Sequence, residues 1–213
     1  MKRNTGKTNF QLLMEAAIAV ISHEFSDERP PRLLLHSCCA PCSSSVIKRL
    51  AGSFQLTVFY YNPNIDTQEE YFIRADEQSR LIQYYNEMKL FPYRIEYQLQ
   101  KYHHEQFIDI AADYTSCPEG GERCFRCYRL RLAETAKAAA AQNFHFFCST
   151  LSLSPLKSAA KINEIGMELS TERCRWLPSD FKKKNGYLDS IRLSREFGLY
   201  RQDYCGCEYS RRN

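Results

Sequence analysis

The sequence predicts an α/β fold, a mostly parallel sheet with flanking helices. Three observations predict it. Short apolar runs of strand length alternate with longer helical patterns. Two of those runs, 32–36 and 54–61, are apolar enough to be buried strands. The chain also has 213 residues with 44% hydrophobic content, enough for one domain with a real core.

Taken in order, residues 8–23 read as an appended amphipathic helix. Ser26-Asp27-Glu28-Arg29-Pro30-Pro31 ends it, and the two prolines make a stiff entry to the first strand at 32–36. That strand breaks into a loop carrying Cys38, Cys39 and Cys42, and a serine run then caps a helix expected over 43–51. The second strand, 54–61, turns at Asn62-Pro63-Asn64 into a long helix over 67–90, with Thr67 and Glu70 at capping-box spacing. A third strand over 92–98 precedes a helix starting near His103, with Phe107, Ile108 and Ile110 at helical spacing. Cys124 and Cys127 open an alanine-rich helix reaching about Gln142, and a fourth strand covers 144–150. Beyond it the chain reads as helical, over 158–170 and 187–197, with the segment from Trp176 to Phe181 between. The expected organisation is therefore an N-terminal helical extension, 1–30, and a single α/β catalytic domain, 31–213.

The net charge of +4 permits nucleic-acid binding without demanding it. Met1-Lys2-Arg3 begins basic and 16–21 is apolar, but that run is short, follows Glu15 directly and lacks a small-residue cleavage pattern. A cytoplasmic protein is expected, with no membrane span.

Ten cysteines make either a disulfide scaffold or an intracellular metal or redox protein. The adjacent pair Cys38-Cys39 favours the second. Neighbouring Cα atoms lie about 3.8 Å apart, below the roughly 4.4–6.8 Å of an ordinary disulfide. Thiolates at a strand-loop-helix junction also gain from the amides at the helix start. Cys124-Phe125-Arg126-Cys127 adds a C-x-x-C, giving four thiolates from two segments, the chemistry of tetrahedral zinc or of an iron-sulfur cluster. Side chains diverging from a bare Cys-Cys pair favour the bulkier cluster. A structural knuckle or a redox pair remains the alternative for Cys124 and Cys127. In Cys205-Gly206-Cys207, a bend at Gly206 brings two cysteines into disulfide range, and so strained a bond would be readily reduced. Two further metal ligands are the alternative. Cys42 could complete a metal site. Cys148 reads as a core residue, Cys117 as a loop thiol, and Cys174 has no partner at informative spacing. His36 reads either as a satisfied loop histidine or, with Tyr128, as a proton donor.

His36-Ser37-Cys38-Cys39-Ala40-Pro41-Cys42, then Tyr61-Asn62-Pro63-Asn64-Ile65, then Cys124-Phe125-Arg126-Cys127-Tyr128-Arg129-Leu130-Arg131, and finally Tyr204-Cys205-Gly206-Cys207 resemble, in matching order, the QueH-type epoxyqueuosine reductases. The likeness runs from about Arg32 to Tyr209. It implies a nucleotide-alpha-hydrolase-like (Rossmann-like) sheet. It also implies an iron-sulfur oxidoreductase that, without cobalamin, removes the epoxide oxygen of epoxyqueuosine at the tRNA wobble position, the last step of queuosine biosynthesis. By the same resemblance Cys38, Cys39, Cys124 and Cys127 hold a [4Fe-4S] cluster. Cys205 and Cys207 form the redox-active disulfide, and a mononuclear iron lies near Cys42, where some members carry Asp. The implied partners are the epoxyqueuosine-bearing tRNA and an unidentified electron donor. Arg126, Arg129, Arg131 and Lys182 to Lys184 are the expected phosphate contacts, with affinity falling as salt rises.

Two rivals stand beside this reading. One is a zinc-stabilised RNA-binding module. The other is an ATP-using tRNA-modifying enzyme, disfavoured because the loop after the first strand has no glycine to let a phosphate approach the backbone.

Overall fold

The computed structural model describes residues 8–26 and 28–211. The basic start at 1–7 and Asp27 in the predicted helix breaker lie outside the described residues. Five strands form one sheet: β1 (Arg32–His36), β2 (Gln55–Tyr60), β3 (Glu96–Leu99), β4 (Phe146–Ser149) and β5 (Arg175–Trp176). Their order is β3-β2-β1-β4-β5, and every pairing is parallel. The chain therefore steps outward from β1 to β3, then returns to the other side of β1. Right-handed crossovers in opposite directions put their helices on opposite faces. Accordingly α2 (Ala40–Leu50), α3 (Gln68–Glu87) and α7 (Gly186–Glu196) pack together, as do α4 (His104–Ala111), α5 (Glu122–Ala141) and α6 (Ala159–Glu168).

Coverage on both faces explains the unbroken Leu33-Leu34-Leu35 run, all three fully buried. Each such side chain contributes about 1.5–3 kcal/mol through apolar burial. Val46, Ile47 and Leu50 of α2, Leu81 and Ile82 of α3, and Leu132 of α5 close the same core. The N-terminal helix α1 (Phe10–Glu24) joins it too, through Met14 and Ile21, seven residues apart on one face. Among the described residues no helix is long and apolar enough to cross a membrane.

The predicted cap at Thr67 forms, its hydroxyl accepting from Glu70 N at 3.2 Å, and Ser158, where the next-to-last helix was expected to start, caps it by accepting from Lys161 N at 3.2 Å. Elsewhere the boundaries differ from expectation. Helix α2 begins at Ala40 rather than at residue 43, so Cys42 lies in its first turn, where Pro41 is well tolerated. The serines do not cap it; Ser43 and Ser44 bond back to the carbonyls of Ala40 and Pro41. Strand β3 starts at Glu96 because Asn86 holds both polar groups of Ile95, accepting from its N–H at 2.9 Å and donating to its carbonyl at 2.8 Å. The two-residue β5 escapes sequence reading. It is fixed from outside, by Trp176 packed on the flat spot of Gly166, where a Cβ would sit 2.2 Å from the indole.

Candidate active site

The strand order reverses between β1 and β4, and the carboxyl edge at such a switch point is where open α/β sheets bind ligands. The Cys38 loop stands there. Ser37 N continues the ladder to Phe59 O at 2.9 Å, and Asn62 donates to Ser37 O at 2.9 Å. Gln78 accepts from both the Ser37 and Ser43 hydroxyls, at 2.6 and 2.8 Å. From β4's end, Thr150 Oγ1 takes the Cys38 N–H at 3.2 Å and lies 3.5 Å from its sulfur. The carboxyl end of β4 thus meets the cysteine loop.

The sulfur atoms of Cys38, Cys39 and Cys42 lie within 4.8 Å of one another, with Cys38 and Cys39 3.9 Å apart. This corrects the expectation that the adjacent pair diverges. Cys39 is the extended residue at the helix N-cap, so the pair straddles a bend and Cys42 folds back from the first turn. Tetrahedral coordination at about 2.3 Å per sulfur puts ligands roughly 3.8 Å apart. The Cys38–Cys39 pair matches that spacing, and Cys42 lies close enough to share an ion with them.

Cys124 and Cys127 lie one turn apart at the start of α5, and Cys124 Sγ accepts from Gly120 N at 3.2 Å. One turn further on, Arg131 is 1% exposed. Its guanidinium reaches Cys127 Sγ at 4.0 Å, His36 Nε2 at 3.3 Å and the side-chain oxygen of Asn62. Arg131 is therefore no phosphate contact, contrary to expectation; its fork ties α5 to β1 and β2. His36 is fully buried, with Nδ1 2.8 Å from Ser149 Oγ and Nε2 3.1 Å from Tyr61 O. Burial first, then Arg131, pushes its pKa down to about 3. Neutral and enclosed, His36 positions Arg131 and donates no proton to a substrate. Replacing Arg131 with Met should leave Asn62 Oδ1 buried and unpaired. The expected cost is ~1–3 kcal/mol in a denaturant titration, and an unchanged midpoint would contradict this role.

The Cys205-Gly206-Cys207 turn is held by the segment after β2. Gly206 has φ +110°, as the predicted bend required, and its carbonyl accepts from Asp66 N at 2.8 Å. Asn64 and the buried Arg74 both donate to Cys205 O, at 3.5 and 3.4 Å. Asp66 also accepts from Tyr204 at 3.2 Å and pairs with Arg211 at 2.7 Å. Arg123, buried against the Tyr209 ring at 4.2 Å, fastens the end of the chain to α5. Both thiols are free, and Cys207 Sγ lies 3.4 Å from Ser210 Oγ. The Tyr61–Ile65 motif thus serves as a clamp, and Tyr60, Tyr61 and Tyr71 are buried in the packing.

These three cysteine segments meet around two adjoining spaces. A cleft of about 330 Å³ is lined by Cys38, Cys39, Cys42, Lys157, Tyr204 and Cys205. A small inner cavity of about 20 Å³ is lined by Cys124, Cys127, Tyr128, Lys157, Cys205 and Cys207. Cys148 and Cys174 are buried in the core, as read for the first. Cys117 lies outside both spaces, in the turn before α5.

Hydrogen bonds from Cys39 and Cys42 hold the Cys38 thiol well below its ordinary range, against burial and with help from Lys157 and Arg131. The hydrogen bond to Cys38, with burial, pushes Cys39 up to about 12 against the opposing contact from Cys42. Burial pushes Cys127 up to about 12, opposed by Arg131. The cations Arg123, Arg131 and Lys157 face this group, and no carboxylate pairs with any of them among the described residues. Burial lowers the pKa of Arg131 and Lys157, but the surrounding cysteines outweigh it and raise both above their ordinary values. A site with such cations is built to balance net negative charge, as metal-bound thiolates carry. The donor set therefore fits a thiolate-held metal centre.

Sequence reading missed Lys157. It lies in the turn after β4, and the switch-point rule would have drawn attention to that turn. Of the expected phosphate contacts other than Arg131, Arg126 and Arg129 are exposed on α5, the first over Tyr114 at 4.2 Å, the second paired with Glu168. Lys182 pairs with Asp180 at 2.8 Å, and Lys184 with Glu15.

A family model described as "Epoxyqueuosine reductase QueH" matches residues 33–213. Proteins of that name are similar over most of their length. The one from Staphylococcus epidermidis is 36% identical over 212 residues, 98% of this chain and 87% of its own. That from Streptococcus pyogenes is 33% identical over 205 residues, 96% of this chain and 78% of its own. A third, from Thermotoga maritima, is 31% identical over 180 residues, 84% of this chain and 89% of its own.

Proposed function

Because the chain belongs to the epoxyqueuosine reductase QueH family, we propose that it reduces epoxyqueuosine in tRNA to queuosine at the wobble position, without cobalamin. It is on this reading a cytoplasmic oxidoreductase of tRNA modification, served by a separate electron donor. Residues 31–213 form the catalytic unit and 1–30 an extension.

The observation that carries the reading is the meeting of three cysteine segments at the switch point, facing cations without carboxylate partners. Cys38, Cys39, Cys124 and Cys127 would hold a [4Fe-4S] cluster, with Cys42 available to a further iron. Bound there, such a centre supplies one-electron transfer and Lewis acidity toward an oxygen. The chain's own contribution is a two-electron store. As the Cys205 and Cys207 thiols close to a disulfide they release two electrons and two protons. Conversion of an epoxide to an alkene and water consumes the same number. Arg131, locked onto Asn62 and His36, keeps the α5 cysteines in register with the β1 loop. Arg126 and Arg129 are the exposed cations of α5 left to meet phosphate, exchanging their surface pairs with Glu122 and Glu168.

The test is anaerobic purification with iron and sulfide analysis, followed by an assay on epoxyqueuosine-tRNA with a strong reductant. A brown protein with about four or more irons per chain that forms queuosine is expected. The spacing of Cys38, Cys39 and Cys42 also suits a single ion. A colourless, zinc-loaded protein without activity would favour that second reading, a zinc-stabilised RNA-binding module.

A further inference from the structure

Lys157 occupies the turn between β4 and α6. Its N–H bonds to Ser154 O at 3.2 Å, and Ser158 beside it caps α6. The main chain around Lys157 is thus held at the sheet's carboxyl edge. Its side chain lines both the cleft of Cys38, Cys39 and Cys42 and the inner cavity of Cys124, Cys127 and Cys207. Among the described residues its ammonium makes no ion pair or hydrogen bond. Two nearby lysines differ: Lys161 pairs with Glu164 at 2.6 Å and Lys182 with Asp180 at 2.8 Å. Of the other cations facing the thiols, Arg131 is committed to Asn62 and His36, and Arg123 to the carbonyls of Tyr114 and Thr115. Arg201 lines the outer cleft only and lies 5.8 Å from the Tyr187 ring. Lys157 is therefore a charged donor without an acceptor, placed where the cleft meets the dithiol.

Resting on the reductase reading above, we infer that Lys157 is a catalytic residue: its ammonium donates a hydrogen bond to the epoxide oxygen and stabilises the negative charge that develops as the C–O bonds break. In the overall step two C–O bonds break and one carbon-carbon double bond forms. The Cys205 and Cys207 thiols lose two protons and two electrons and become a disulfide. The oxygen leaves as water, taking both protons. Lys157 is unchanged at the end. A fixed donor in a partly enclosed site needs no solvent reorganisation as that charge appears, which is where such groups contribute most.

The test compares Lys157→Gln and Lys157→Arg with the wild-type holoprotein on epoxyqueuosine-tRNA. Four quantities are read: iron and sulfide content, tRNA affinity, kcat, and thiols lost per queuosine in a single turnover. For Lys157→Gln, kcat should fall about 10²–10³-fold, the loss typical when one such donor is removed. Metal content should be unchanged and tRNA affinity should move less than about twofold, an effect of RT ln 2 or about 0.4 kcal/mol. Lys157→Arg, which keeps charge and donors, should recover most of the rate. An active wild type with an unimpaired Lys157→Gln would overturn the role. So would a loss appearing only as weaker tRNA binding, which makes Lys157 a phosphate contact, or as lost metal, which makes it structural. A wild type inactive on this substrate would instead sink the reductase reading, and this role with it.

Discussion

Cys38→Ser protein, purified anaerobically, is expected to have lost most of its iron and sulfide, with turnover of epoxyqueuosine-tRNA down by about 10²-fold or more. Removal even of groups that merely orient a metal ligand costs about 10–100-fold, and Cys38 is placed as a ligand itself. It is the first of its trio to give up a proton, because Cys39 and Cys42 both hydrogen-bond to it and Lys157 and Arg131 lie near. A serine hydroxyl is a hard, weakly acidic donor and replaces none of this. The control is Cys117→Ser. That thiol lies outside both cavities, so metal content and rate should match wild type. Cys38→Ser protein that retained its full iron would remove Cys38 from the metal centre. If Cys117→Ser also lost metal, the effect would belong to general destabilisation.

Cys207→Ser is expected to behave in the opposite way, keeping its iron and sulfide while turnover with a physiological reductant falls by about 10²-fold or more. The Cys205–Cys207 turn is held by backbone contacts that the substitution leaves in place: Asp66 N to Gly206 O, and Asn64 and Arg74 to Cys205 O. A serine hydroxyl can also keep the contact to Ser210 that Cys207 makes at 3.4 Å. What it cannot do is close to a disulfide, so one sulfur of the two-electron store is lost. Thiol titration gives a second readout. Oxidised wild type should hide two thiols that a reductant returns, and the variant should hide neither. Full turnover by Cys207→Ser would take the dithiol out of the reaction. Metal lost from this variant would place Cys207 among the ligands instead.

Most of the fold was legible because its signals are local. Leu33-Leu34-Leu35 is a strand in any context that covers both its faces, and Thr67 and Ser158 cap the helices they precede by bonds spanning three residues. The helix start at Ala40 was less legible. Serines at 43–45 attract a cap assignment, while Pro41 is equally at home one turn earlier. Strand β5 was not legible at all, since two residues carry no period and its pairing to β4 depends on Trp176 docking at Gly166.

For the site, the cysteine spacings and the glycine between Cys205 and Cys207 determined the chemistry available: soft ligands at a helix start, and a small, reducible ring. Sequence alone could not assign the cations. Arg126, Arg129 and Arg131 share one helix and read alike, yet Asn62 and His36, 69 and 95 residues away in sequence, draw only Arg131 inward. Lys157 has no motif of its own and becomes notable only where the turn after β4 meets the loop after β1. Residue type and short spacing determine which bonds a side chain can make. Which of them it does make depends on groups that the sheet order brings together from distant parts of the chain, and on the low dielectric that results when they are buried.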